Sequence, residues 1–211
     1  MLVLGHLGIT LGTIKFFCTV TKSKFIPKTT GEKTAEPSSP RKFKSAHIFP
    51  NHQTSWLTSA VNKLDIRLLL IGSLLPDIID KPVGLYFFSE TFSNGRIFCH
   101  TLLFLILITA MGFYFYRHHG KTWALALSLG TFIHLILDQM WLSPQTLFWP
   151  LFGFQFERLD ISDWTINIFQ ELLTDPAVYI PELLGTVILI WFTWTLLYRR
   201  KIKVFIKYGR I

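Results

Sequence analysis

TFIHLILDQMW, residues 131–141, closes an apolar stretch that begins at Thr122, and it sets His134 and Asp138 four positions apart inside that stretch. Side chains at i and i+4 of a helix share one face, one turn apart. Ionisable groups at membrane depth are costly and are kept where they bind or carry something. These residues therefore predict a membrane-embedded helix with a metal site on it.

The surrounding chain supports the membrane half of that reading. Of its 211 residues 50% are hydrophobic and 16% aromatic, and the mean hydropathy is +0.40. That is too apolar for an ordinary soluble domain, and the length suits one helical bundle. The basic residues behind the formal net charge of +8 gather in a linker at 22–63 and in the tail YRRKIKVFIKYGRI. Such clusters beside apolar spans set topology and touch anionic lipid, so membrane lipid, and not nucleic acid, is the expected partner. The two cysteines, Cys18 and Cys99, both fall in apolar segments, which argues against a disulfide framework.

Apolar segments recur along the chain. Residues 1–20 make a first span, with Lys15 near its end. The run at 66–79 is shorter than the roughly 20 residues a full crossing needs, and it leads into PDIID, which reads as a helix-ending device. Residues 97–116 and 122–141 form an antiparallel pair across the tight turn RHHGK, and 180–198 is the last span. An acidic and aromatic connection at 142–181 carries Glu157, Asp160, Asp163, Glu171 and Asp175. The expected fold is all-α, a multi-pass integral membrane bundle of about four to five transmembrane helices. It is expected as a single domain over 1–211, interrupted by a mobile basic linker at 21–63 and ending in a basic tail at 199–211.

Positive residues flanking spans stay in the cytoplasm. With the tail inside, the acidic connection lies outside, RHHGK inside, and the start of the 97–116 helix outside. Counting forward from the first span, whose basic residues follow it, gives the same sidedness. His6, Asp77, Asp80, His100, His134 and Asp138 then all stand toward the outer, extracytoplasmic ends of their segments.

Neutral imidazole nitrogens and carboxylate oxygens together suit zinc, and they also accept manganese or iron. Those six residues are the expected metal ligands. They exceed what one catalytic zinc uses, which leaves room for a second ion or for outer-partner roles. Asp80 is also a candidate base, with Lys81 positioned to pair with it. Arg96 precedes His100 by one helical turn in NGRIFCH and would present its fork to a substrate phosphate or carboxylate. A divalent ion in such a site activates water and polarises phosphoryl or carbonyl oxygens, so hydrolysis is the natural reaction. The plainer alternatives are a packing pair at His134 and Asp138, and helix termination at Asp77 and Asp80.

The order of GH (Gly5, His6), GSLLPDIID (Gly72 to Asp80), Arg96 with His100, and HLILD (His134 to Asp138) followed by Pro144 and Pro150 resembles the YdjM-like membrane-bound metal-dependent hydrolases. The resemblance covers most of the chain apart from the linker and the tail. It implies an inner-membrane protein, distantly similar to zinc-dependent phospholipase C and P1-type nucleases, and with them phosphodiester hydrolysis. The family commonly has a histidine before the arginine, where Gly95 stands here. The expected activity is hydrolysis of a phosphoester in a lipid-linked substrate at the outer leaflet. Competing readings are a metal ion or proton transporter or channel, and a non-catalytic membrane scaffold that works through its basic segments.

Overall fold

The computed structural model describes residues 1–23, 64–158 and 164–209. The expected linker from residue 24 onward, and the loop acids Asp160 and Asp163, lie outside the described residues. Contacts divide the chain into two units, Met1–Ile14 with Leu64–Ile211, and Lys15–Lys63, and the elements that build the site belong to the first. Among the described residues the longer helices are α1 (Val3–Ser23), α2 (Ile66–Pro82), α3 (Leu102–His119), α4 (Trp123–Leu137), α5 (Trp164–Thr174), α6 (Pro176–Tyr198) and α7 (Ile202–Tyr208), with a π-helical turn at Val83–Phe87 directly after α2 and short helical turns at Met140–Leu142 and Pro144–Leu147. No strand occurs among the described residues. Helices α3 and α6 are long and apolar enough to cross a membrane, whereas Val3–Thr19 and α4 are apolar but shorter.

Polarity is distributed inside out. Ile106, Leu107 and Phe113 on α3, and Leu183, Val187 and Ile190 on α6, are more than half exposed, while His6, Ser73, Asp77, Asp80, His100, Thr131, His134 and Glu182 are buried. A soluble domain would reverse this, because exposed apolar area costs free energy in water and unpaired buried polar groups cost it anywhere. Buried hydroxyls act as glue between helices, as where Thr109 on α3 meets Ser128 on α4. The opposite end of the bundle is closed by a small apolar core. Leu11, Phe192 and Leu196 pack there with Ile66 and Phe205, so that α7 folds back against the last long helix. The Gly209 carbonyl accepts from Ile66 N–H at that end. Beside it the Arg67 guanidinium hydrogen-bonds Asp65 and holds that carboxyl below the usual carboxylate range.

Helix ends differ from the sequence expectation in ways that shape the site. The segment 97–101 is not helical. Thr101 caps α3 by accepting from Phe104 N–H, and the helix begins at Leu102. Helix α4 stops at Leu137, with Asp138 as its C-cap and Gln139 turned into the left-handed region at φ 52°. PDIID does not end a helix either, since α2 runs through Pro76 to Pro82.

An interior proline removes the N–H that would serve the carbonyl four residues earlier. For Pro76 that carbonyl is Gly72 O, and the Thr131 hydroxyl on α4 donates to it across 3.2 Å. The neighbouring helix thus supplies the missing donor, as a buried carbonyl requires. Thr131→Val, which keeps the shape, is expected to destabilise by about 1–3 kcal/mol through the orphaned carbonyl. In a Pro76→Ala background the restored N–H should remove most of that loss, and a four-protein unfolding cycle in detergent measures it. Simple additivity would refute the pairing.

Candidate metal centre

Two close helix crossings bring the site together. A Cβ on Gly130 would lie 2.2 Å from Leu69 O and one on Gly72 2.3 Å from Leu127 O, so α2 and α4 touch backbone to backbone. The buried face of α2 is Leu69, Gly72, Ser73, Pro76, Asp77 and Asp80, a single stripe at helical spacing. At the second crossing a Cβ on Gly8 would fall 2.1 Å from Gly185 O, which joins the start of α1 to α6. Small residues at crossings are how helices approach closely where no water drives them together.

At the first crossing His134 is pinned by its outer nitrogen. Its Nδ1 lies 2.7 Å from Ser73 O, and a carbonyl only accepts, so Nδ1 carries the proton. His100 repeats the device, with Nδ1 2.7 Å from Asp80 Oδ2. Each ring, when neutral, therefore turns an unprotonated Nε2 inward, and these two atoms stand 3.1 Å apart. Facing lone pairs at that distance repel unless a proton or cation lies between them.

Carboxylates complete the ring. Asp77 Oδ1 sits 3.5 Å from His100 Nε2 and 3.9 Å from His134 Nε2, and Asp138 Oδ2 sits 4.0 Å from His100 Nε2. One ligand atom from each of Asp77, His100, His134 and Asp138 lies within 4.8 Å of all the others, so the group could hold a metal ion. Tetrahedral ligands at about 2.0–2.2 Å from zinc would be about 3.3–3.6 Å apart, within the spread of these separations. Asp77 Oδ1 is buried and has no hydrogen-bond partner, so its lone pairs are of the kind a cation would satisfy. The residues present fit a divalent ion by donor chemistry, tautomer and distance.

The other expected ligands take different places. His6 is fully buried, stacks on His134 with ring centroids 4.2 Å apart, and brings Nε2 within 3.0 Å of Asp138 Oδ1. Neither of its nitrogens makes a well-aligned hydrogen bond, and it stands outside the group of four. Asp80, expected as ligand or base, stands behind His100. Its carboxylate accepts the backbone N–H groups of Ile97, Cys99 and His100 as well as His100 Nδ1–H. The 97–100 loop thus wraps a buried anion instead of continuing a helix. Arg96 accordingly reaches the site from a loop, donating Nε–H to Asp138 Oδ2 at 3.0 Å with Nη2 at 2.9 Å from the same oxygen.

Three contributors escape the sequence reading. Ser73 orients His134, Lys81 pairs with Asp77 at 2.7 Å and not with Asp80, and Glu182 on α6 accepts from Leu2 and Gly5 N–H at the start of α1. Glu182 had a signal, as an acid inside an apolar span. The orienting role of Asp80 makes a prediction: Asp80→Asn should weaken metal binding about 10–100-fold while leaving the saturating metal content unchanged. Chelator competition on the two proteins reads both quantities, and equal affinities would sink the assignment.

Residues 45–205 match the family model for the YdjM inner membrane protein, which takes in all four clustered ligands, Asp80 and Arg96 and leaves out His6. No curated protein and no solved structure matches the chain.

Proposed function

The chain belongs to the YdjM inner membrane protein family, and from that premise we propose that it is a multi-pass, metal-dependent hydrolase of phosphoesters carried by lipid-linked substrates. In this reading α1, α3, α4 and α6 are the spans, α2 enters the bundle as a protein-lined segment, and the basic C-terminal tail is cytoplasmic. In the same reading the metal centre faces the extracytoplasmic side, with His6 near the start of α1, Asp77 near the end of α2, His100 just before α3, and His134 and Asp138 at the end of α4.

The observation that carries the proposal is the inward pair of Nε2 atoms, each ring held by its Nδ1, closed by Asp77 and Asp138. A structural packing pair needs no such arrangement, because it would join an imidazole donor to a carboxylate. Zinc is the first expectation for the ion, with manganese and iron as alternatives. The bound ion would supply Lewis-acid polarisation of a phosphoryl oxygen and water activated near neutral pH. The chain's own residues do the rest. Ser73 and Asp80 fix the two tautomers, Asp77 and Asp138 hold the negative charge, and Arg96 keeps N–H donors beyond those it gives Asp138. Exposed Trp141 and Leu142 follow Asp138 by three and four positions, apolar neighbours that suit a lipid-linked substrate.

The test is turnover by purified, zinc-loaded protein in detergent on phosphodiester and phosphomonoester probes, aqueous and lipid-linked. Hydrolysis should be abolished by chelation and restored by zinc. Absence of hydrolysis, together with zinc flux through proteoliposomes that His134→Ala abolishes, would replace the enzyme with a transporter.

A further inference from the structure

We propose that Lys81 and Arg96 together form the anion seat of this centre, and that it opens to a phosphate group when a metal ion takes Asp77 and Asp138. The inference rests on the phosphoester reading above and extends it to a second cation and to the order of binding. Lys81 follows Asp77 by one turn of α2, with Nζ 2.7 Å from Asp77 Oδ2. Arg96 holds Asp138 through Oδ2 in the same way. Each cation thus grips one of the two carboxylates that face the histidines.

The two side chains also share a neighbourhood. A Cβ on Gly95 would lie 3.2 Å from Lys81 Cγ, so the lysine stem runs against the backbone next to Arg96. Their side chains are 31% and 43% exposed, whereas those of Asp77 and Asp138 are 8% and 4% exposed and those of the histidines fully buried. A ligand from outside therefore meets the two cations first. Lysine carries three donors and arginine five, and the carboxylates occupy only some of them.

Without a metal ion, the charges of Asp77 and Asp138 neutralise both cations and repel a phosphate. A divalent ion among the four ligands draws on those same charges and adds its own, turning the local field attractive to an anion. Ion and anion are thus positively coupled, and the coupling is reciprocal by linkage. A sign follows for Lys81. It competes with the ion for the charge of Asp77, so its removal leaves ion affinity unchanged or raised while lowering anion affinity. A lysine that merely buttressed Asp77 would lose both together.

Titration of inorganic phosphate into the full chain in detergent, zinc-free and zinc-loaded, tests this by calorimetry. Phosphate should bind the zinc-loaded protein and not measurably the zinc-free one. Lys81→Met should lower phosphate affinity about tenfold or more, the loss expected for one hydrogen bond to a charged group. Its zinc affinity should hold or rise, and Lys81→Arg should keep phosphate affinity within a few fold. Unchanged phosphate affinity in Lys81→Met, or zinc affinity falling in step with it, overturns the proposal. Lysine-dependent phosphate binding without turnover would leave the anion seat standing and end the hydrolase reading. Turnover with lysine-independent phosphate binding would do the reverse.

Discussion

His134→Ala is expected to empty the metal centre and bring any hydrolysis to background. The imidazole is fully buried and supplies one of the two Nε2 atoms that face each other at 3.1 Å. Alanine removes that ligand and leaves Asp77, His100 and Asp138. The loss of metal affinity should exceed the roughly 10–100-fold that removal of an outer partner costs. Stability separates this from unfolding. An ion held at 100 times its dissociation constant adds about 2.7 kcal/mol to the folded state, so chelation should lower the melting temperature of the parent chain. The variant in chelator should melt somewhat below the chelated parent, because a buried ring is lost. It should then show no further shift on adding zinc. A zinc-dependent shift of parental size in His134→Ala would place the ion elsewhere.

Gly130→Ala is expected to have the larger effect on the fold. The new Cβ would lie 2.2 Å from Leu69 O and 2.6 Å from Ser73 N, and both are backbone atoms of α2 that cannot swing aside. The helices must separate, which also pulls Ser73 O away from His134 Nδ1. Overpacking of this kind typically costs about 1–3 kcal/mol, and the lost orientation of His134 should weaken metal binding as well. Gly12→Ala is the contrast, since its Cβ would first meet the flexible end of Ile188 at 3.1 Å. There the gain in helix propensity, up to about 1 kcal/mol, offsets the contact. Melting temperatures of the two variants in detergent should therefore separate, and equal values would contradict the close crossing.

Much of the centre was legible in the sequence because its ligands obey helical spacing. His134 and Asp138 stand one turn apart, the Asp138 N–H still bonded to His134 O, and Asp77 lies on the buried stripe of α2. The division of labour between Asp77 and Asp80 was not legible. Both face inward from α2, and what separates them is the 97–100 loop, which closes its N–H groups around Asp80 and has no periodicity to read. The same loop took Arg96 off a helix. Pro76 misled for a related reason, because the donor that lets α2 continue comes from Thr131, more than fifty residues away in sequence. The glycines of the GH and GSLLPDIID motifs read as motif letters, yet Gly72 marks the α2 to α4 crossing, and Gly5 leaves room for the Glu182 carboxylate.

The central claim is that Asp77, His100, His134 and Asp138 share one divalent ion. X-ray absorption at the metal edge of protein purified without added metal, with metal content measured on the same sample, tests it most directly. The expected result is about one ion per chain, with a shell of nitrogen and oxygen at about 2.0–2.2 Å that includes two imidazoles. An ion-free protein that also fails to take up zinc, or a bound ion whose shell contains no imidazole, would contradict it.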